Sequence, residues 1–71
     1  MNKINPKVLL RSKWTKVVVS NKEKHFIIAE ITFDELQKVT HCIIEAVMTK
    51  NEYAIDWREL KKSNLWRIGW Q

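Results

Sequence analysis

Four tryptophans in a chain of 71 residues restrict its fold more than any other feature of the sequence. A tryptophan covers about 150–250 Å² when buried, and its indole N–H needs an acceptor. A chain this short buries only about 60% of the surface that its unfolded form exposes. The four rings therefore supply either most of a core or most of a binding face. Trp57, Trp66 and Trp70 fall within the last fifteen residues, whereas Trp14 stands apart among lysines.

So little apolar material argues against a deep catalytic cleft, and a single domain is expected. A hydrophobic fraction of 45% and a charged fraction of 30%, with one glycine and one proline, are those of a folded globular chain rather than a disordered one. The longest apolar runs, Val17-Val18-Val19 and Phe26-Ile27-Ile28-Ala29, are too short to cross a bilayer, so no membrane partner is expected. The first seven residues lack the apolar stretch and cleavage site of a signal peptide. With Cys42 as the single cysteine, no internal disulfide forms, and a cytoplasmic protein is the expectation.

Charge is distributed unevenly. Residues 1–25 carry seven basic side chains against Glu23, a balance of +6, while the remaining residues balance to −1, so the net +5 is an N-terminal property. Such asymmetry is a footprint of a polyanionic partner and also fits a solvated tail.

Residues 1–12 show no period and contain Pro6, which reads as an N-terminal arm whose Val8-Leu9-Leu10 tucks against a body formed by residues 13–71. The Trp, Thr and Val content of residues 13–19 predicts a first strand, closed by the polar turn Ser20-Asn21-Lys22-Glu23. Residues 24–33 alternate as a second strand, and Asp34-Glu35-Leu36-Gln37 is a hairpin turn in which Asp34 accepts from the backbone. Residues 38–48 predict a third strand with Cys42, Ile44, Ala46 and Met48 on one face and His41 and Glu45 on the other. Tyr53, Ile55 and Trp57 alternate in a short fourth strand. Asp56 and Glu59 then have the spacing of a capping box, predicting a helical turn over residues 57–62. Trp66, Ile68 and Trp70 alternate as a closing strand. The fold expected is mainly β, a small SH3-like five-stranded antiparallel barrel with one helical turn before the last strand. The alternative is an open four-stranded antiparallel sheet with a C-terminal helix.

Catalytic constellations are scarce. His41-Cys42 is the single His/Cys pair, and adjacent strand residues point to opposite faces. No CxxC or HxxxH spacing supports a metal site, and Gly69 alone cannot build a phosphate loop. No enzyme activity, metal or cofactor is expected, and Cys42 reads as a small buried hydrophobe. Strand spacing assigns Trp57, Trp66 and Trp70 to the core and leaves Trp14 undecided between core and surface. Trp14 with Arg11, Lys13, Lys16, Lys24 and His25 forms the one aromatic and basic constellation, the minimal form of a platform for RNA or single-stranded DNA.

The stretches Leu10-Arg11-Ser12-Lys13-Trp14-Thr15, Asn21-Lys22-Glu23-Lys24-His25-Phe26, Glu45-Ala46-Val47-Met48-Thr49-Lys50 and Ile55-Asp56-Trp57-Arg58-Glu59-Leu60, with Trp66 and Gly69-Trp70, resemble a family of short bacterial tryptophan-rich proteins of unknown function. The resemblance spans roughly residues 6–70 and is carried by several separated motifs in order. Lys16-Val17-Val18-Val19 departs from the family pattern. The resemblance implies a small, stand-alone cytosolic bacterial protein and brings no activity, cofactor or catalytic residue with it. The functional expectation is thus a non-catalytic binding module for nucleic acid, the alternative being an accessory module that docks on a peptide or partner protein.

Overall fold

A computed structural model describes residues 2–71 of the chain. The β-branched and aromatic runs form five strands: β1 (Lys13–Ser20), β2 (Glu23–Phe33), β3 (Val39–Ala46), β4 (Glu52–Ala54) and β5 (Trp66–Ile68). They make one antiparallel sheet in the order β4-β3-β2-β1-β5, so the fold is mainly β, with 47% of the chain in strands. As the sequence implies, the fifth strand returns to the first. The sheet is nevertheless open rather than a closed barrel. β4 and β5 stay separate edges because three residues each give too little length to curl toward one another. The connection between them, a 3-10 turn at Trp57–Lys61, instead sends Leu60 into the core. The runner-up has the right openness but lacks β5, and no α-helix is present among the described residues.

The register explains the core. Trp14 pairs with Phe26 and Phe26 with Ala46, while Ile28 pairs with Ile44, so these side chains share one face. Trp66 meets Phe26 edge to face, with centroids 5.2 Å apart. Cys42, Leu60 and Leu9 complete the buried cluster. Met48, expected on the same face as Cys42, lies beyond the end of β3 and is exposed. Asp56 caps the 3-10 turn by accepting from the Arg58 N–H at 3.0 Å, but Glu59 turns away from the reciprocal half of the capping box and accepts from the Trp66 indole N–H at 3.3 Å.

The arm is part of this body. Asn5 caps a 3-10 turn at Pro6–Val8, Leu9 is buried, and the Arg11 N–H donates to the Ile28 carbonyl at 2.9 Å. The Asn2 side-chain amide donates to the carbonyls of Leu60 (2.9 Å) and Trp66 (2.7 Å), tying the start of the chain to its far end. Of Val8-Leu9-Leu10 only Leu9 is covered. Met1, the first residue of the arm, lies outside the described residues.

Glu23, which the sequence places in a polar turn, is 3% exposed and begins β2. Its carboxylate accepts from the Thr49 hydroxyl, from the Tyr53 hydroxyl at 2.6 Å and from the Asn51 amide at 3.2 Å. These donors outweigh desolvation and hold its pKa below the ordinary 4.5, the Thr49 bond contributing most. The β1–β2 hairpin is thereby fastened to the β3–β4 turn.

Between Thr15 and Ser20 the register shifts, and Val17, Val18 and Val19 swing out into solvent. This bulge is the stretch that departs from the family pattern. The hairpin ends at Asn21 and Lys22, whose φ angles of 54° and 60° are those of a type I′ turn. A left-handed lysine carries a strain of about 1 kcal/mol that glycine does not. Lys22→Gly is therefore expected to raise the urea midpoint, by about 1 kcal/mol of stability. A lower midpoint would contradict the turn geometry.

Candidate functional site

The glycine that follows β5 sets Trp70 at the surface. Gly69 has φ +80°, a left-handed conformation, and it breaks the strand alternation that would send Trp70 inward. The segment after it crosses the outer face of β1 instead. The Gly69 N–H donates to the Lys13 carbonyl at 2.8 Å, and the Thr15 hydroxyl donates to the Gly69 carbonyl at 2.7 Å while accepting from the Gln71 N–H at 2.9 Å. Trp70 anchors through its indole N–H on the Phe26 carbonyl at 2.9 Å, which leaves the side chain 43% exposed.

A lysine and a histidine lie against this ring. The Lys13 ammonium lies 4.8 Å from the indole centroid, and the His25 ring is 6.0 Å away with Nε2 at 2.8 Å from the Gln71 carbonyl. Thr15 pairs with His25 on one side and with Arg67 on the other, so His25, Thr15 and Arg67 form a row across β2, β1 and β5. Lys24 and Arg67 border a shallow depression of about 330 Å³ beside Gln71. On the other side of Lys13, a groove of about 410 Å³ runs between the arm and β5. Its apolar walls include Ile4, Val8, Trp14 and Ile68, and its charged residues are Lys3, Arg11 and Lys13, with no acidic side chain among the lining residues. Lys13 thus joins the groove to the Trp70 surface.

The structure separates the residues expected to act together. Arg11 and Lys13 line the groove, and Lys24 and His25 flank the Trp70 segment. Lys16 lies within β1, paired with Trp66, and lines the depression that Lys24 and Arg67 border, with its ammonium on the Ser20 hydroxyl at 3.2 Å. Trp14 is a correction. It is 3% exposed and donates its indole N–H to the Ser12 hydroxyl at 2.8 Å, so it offers no free ring for stacking. Its burial follows from the arm, which places Leu9 over a strand that the sequence shows as only half covered. Trp70 is the reverse correction, assigned to the core by spacing and found at the surface. Trp66 is buried as expected, and Trp57 is partly buried with Lys61 over its ring. Lys3, Arg67 and Trp70 are the residues that sequence reasoning misses. The usable signal was the sole glycine immediately before Trp70.

The Cys42 thiol is buried and pushed up to about 11, first by desolvation and then by the Asp56 charge, so it stays protonated at neutral pH. No group of three His, Cys, Asp or Glu side chains converges among the described residues. No helix among them is long and apolar enough to cross a membrane.

The family model described as tryptophan-rich protein (DUF2389) matches residues 12–71, and the chain belongs to that family, whose function is unknown. No curated protein and no solved structure matches the chain.

Proposed function

We propose that this tryptophan-rich protein is a non-catalytic module that binds single-stranded nucleic acid, RNA or DNA, along the surface running from the arm groove across Lys13 to Trp70 and Arg67. The observation that carries the reading is the half-exposed Trp70 ring, with Lys13 over it and His25 beside it, together with the depression beside Gln71 that Lys24 and Arg67 border. An exposed indole accepts a base for about 1–3 kcal/mol whatever its sequence, while lysine and arginine recruit phosphates. Lys13 lies over the ring in the free protein, so the same side chain can swing to a phosphate as a base takes its place. A cytoplasmic setting, which the lone cysteine favours, puts RNA within reach.

Titrating labelled single-stranded RNA and DNA at two salt concentrations tests the reading. Trp70→Ala is expected to weaken binding about tenfold. Replacing Lys13 and Arg67 together is expected to flatten the logarithmic salt slope by about 1.4. Absence of binding at low salt, or binding indifferent to Lys13 and Arg67, would remove the proposal. A protein partner is the second reading, favoured by the exposed Val17-Val18-Val19 bulge. Partners retained in a pull-down after nuclease treatment would support it.

A further inference from the structure

On the side of the molecule that carries Trp66, a cleft of about 230 Å³ lies between the β1–β2 hairpin and the 3-10 turn. It shares only Lys16 with the depression beside Gln71. Its walls are the aromatic rings of Phe26, Tyr53 and Trp66, together with Ile44 and Ile55. The rings are mutually inclined rather than stacked: Phe26 and Trp66 meet at 87°, Phe26 and Tyr53 at 58° with centroids 6.4 Å apart. Rings set at angles around a cavity turn different parts of their π systems toward one volume. An aromatic ring attracts a cation through its negative quadrupole.

Two carboxylates border the same volume, Glu23 and Glu59. Glu23 accepts only from neutral donors, the Thr49 and Tyr53 hydroxyls and the Asn51 amide, and so keeps its full negative charge without an ion pair from them. Lys16 is the one cation in the lining, and its ammonium is engaged by Ser20 at the rim. Two carboxylates fall well short of the six or more oxygens that calcium requires, and apolar walls suit a cation that carries its own hydrocarbon. The volume is smaller than a drug-sized site and matches a single head group.

We propose that this cleft binds a small alkylammonium ion, with Phe26, Tyr53 and Trp66 as its aromatic walls, Glu23 and Glu59 as its counter-charges, and Lys16 as a built-in competitor.

Choline tests this, with 3,3-dimethylbutan-1-ol as its uncharged counterpart, followed through the Trp66 indole N–H resonance at constant ionic strength. Choline is expected to shift that signal saturably, and the alcohol is expected to leave it in place. Glu59→Gln should weaken choline binding about threefold. Lys16→Met, which keeps the aliphatic stem and removes the competing charge, should tighten it about threefold, a gain that no purely structural role of Lys16 produces. Equal shifts with the alcohol would reduce the cleft to an apolar crevice. No saturable response in either the native protein or the Lys16→Met variant would overturn the proposal.

Discussion

Trp14→Ala is expected to abolish the cooperative melting transition of this protein. Truncating a buried tryptophan removes about 3–5 kcal/mol through lost transfer energy and the cavity left behind. A single core in a chain below about 70–80 residues rarely supplies more than about 3–5 kcal/mol in total. Loss and reserve are therefore comparable, and the folded state ceases to dominate. Trp14 packs in the same cluster as Phe26, Leu9 and Trp66, and its indole N–H holds the Ser12 hydroxyl, which itself donates to the Leu9 carbonyl. Its removal also loosens the arm. Trp70→Ala, at the surface, should keep a cooperative transition. Circular dichroism melts of the two variants check this. A Trp14→Ala melt within a few degrees of the native protein would mean that the ring carries little of the core.

Acidification is expected to release the Glu23 clasp, and this effect distinguishes native protein from Glu23→Gln. Because hydrogen bonds lower the Glu23 pKa in the folded state, its carboxylate stabilises the fold fully above the unfolded value of 4.5, and that contribution fades as pH falls through the lower folded value. At neutral pH Glu23→Gln should have a clearly lower urea midpoint, since an amide presents a donor toward hydroxyl and amide groups that are themselves donating. The difference should narrow progressively below about pH 4.5. A pH-independent difference would show that the carboxylate charge is not what the clasp uses. Tyr53 reports the same clasp from the alkaline side. It is the sole tyrosine, and its hydrogen bond to Glu23, burial and the Glu23 charge all raise its pKa above 10.0, so absorbance titration should find it ionising late. Stability from that bond is present below 10.0 and lost as pH rises through the folded value.

β2 and β3 are legible in the sequence because each is covered mainly on one face and so alternates. Residues 13–19 and 24–33 come within one residue of β1 and β2, and the Asp34 turn forms as its chemistry dictates, with Oδ1 accepting from the Leu36 and Lys38 N–H groups. Alternation fails where a second element covers or removes a face. β1 has Trp14 buried beneath the arm and Thr15 buried beneath the Gly69–Gln71 segment, so adjacent residues on opposite faces are both inaccessible. Nothing local to β1 records either cover. Trp70 misleads for a different reason, because one left-handed glycine resets the direction of every side chain after it. Glu23 is obscure because its three donors lie 26 to 30 residues away, and polarity alone reads as exposure. Of the candidate site, Arg11, Lys13, Lys24 and His25 are legible, and Lys3, Arg67 and Trp70 are not.

The placement of β1 inside the sheet fixes when the protein can be completed. β1 is made first, yet one of its neighbours is β5, and Trp14 pairs across that boundary with Ile68. Asn2 waits for Leu60 and Trp66. During synthesis, the β1–β2–β3 meander emerges with one flank of its central tryptophan uncovered and an unpaired strand edge beside it. The complete sheet and the cover of its central tryptophan consequently require residues 60–68, and strand-by-strand growth from the amino terminus cannot finish them.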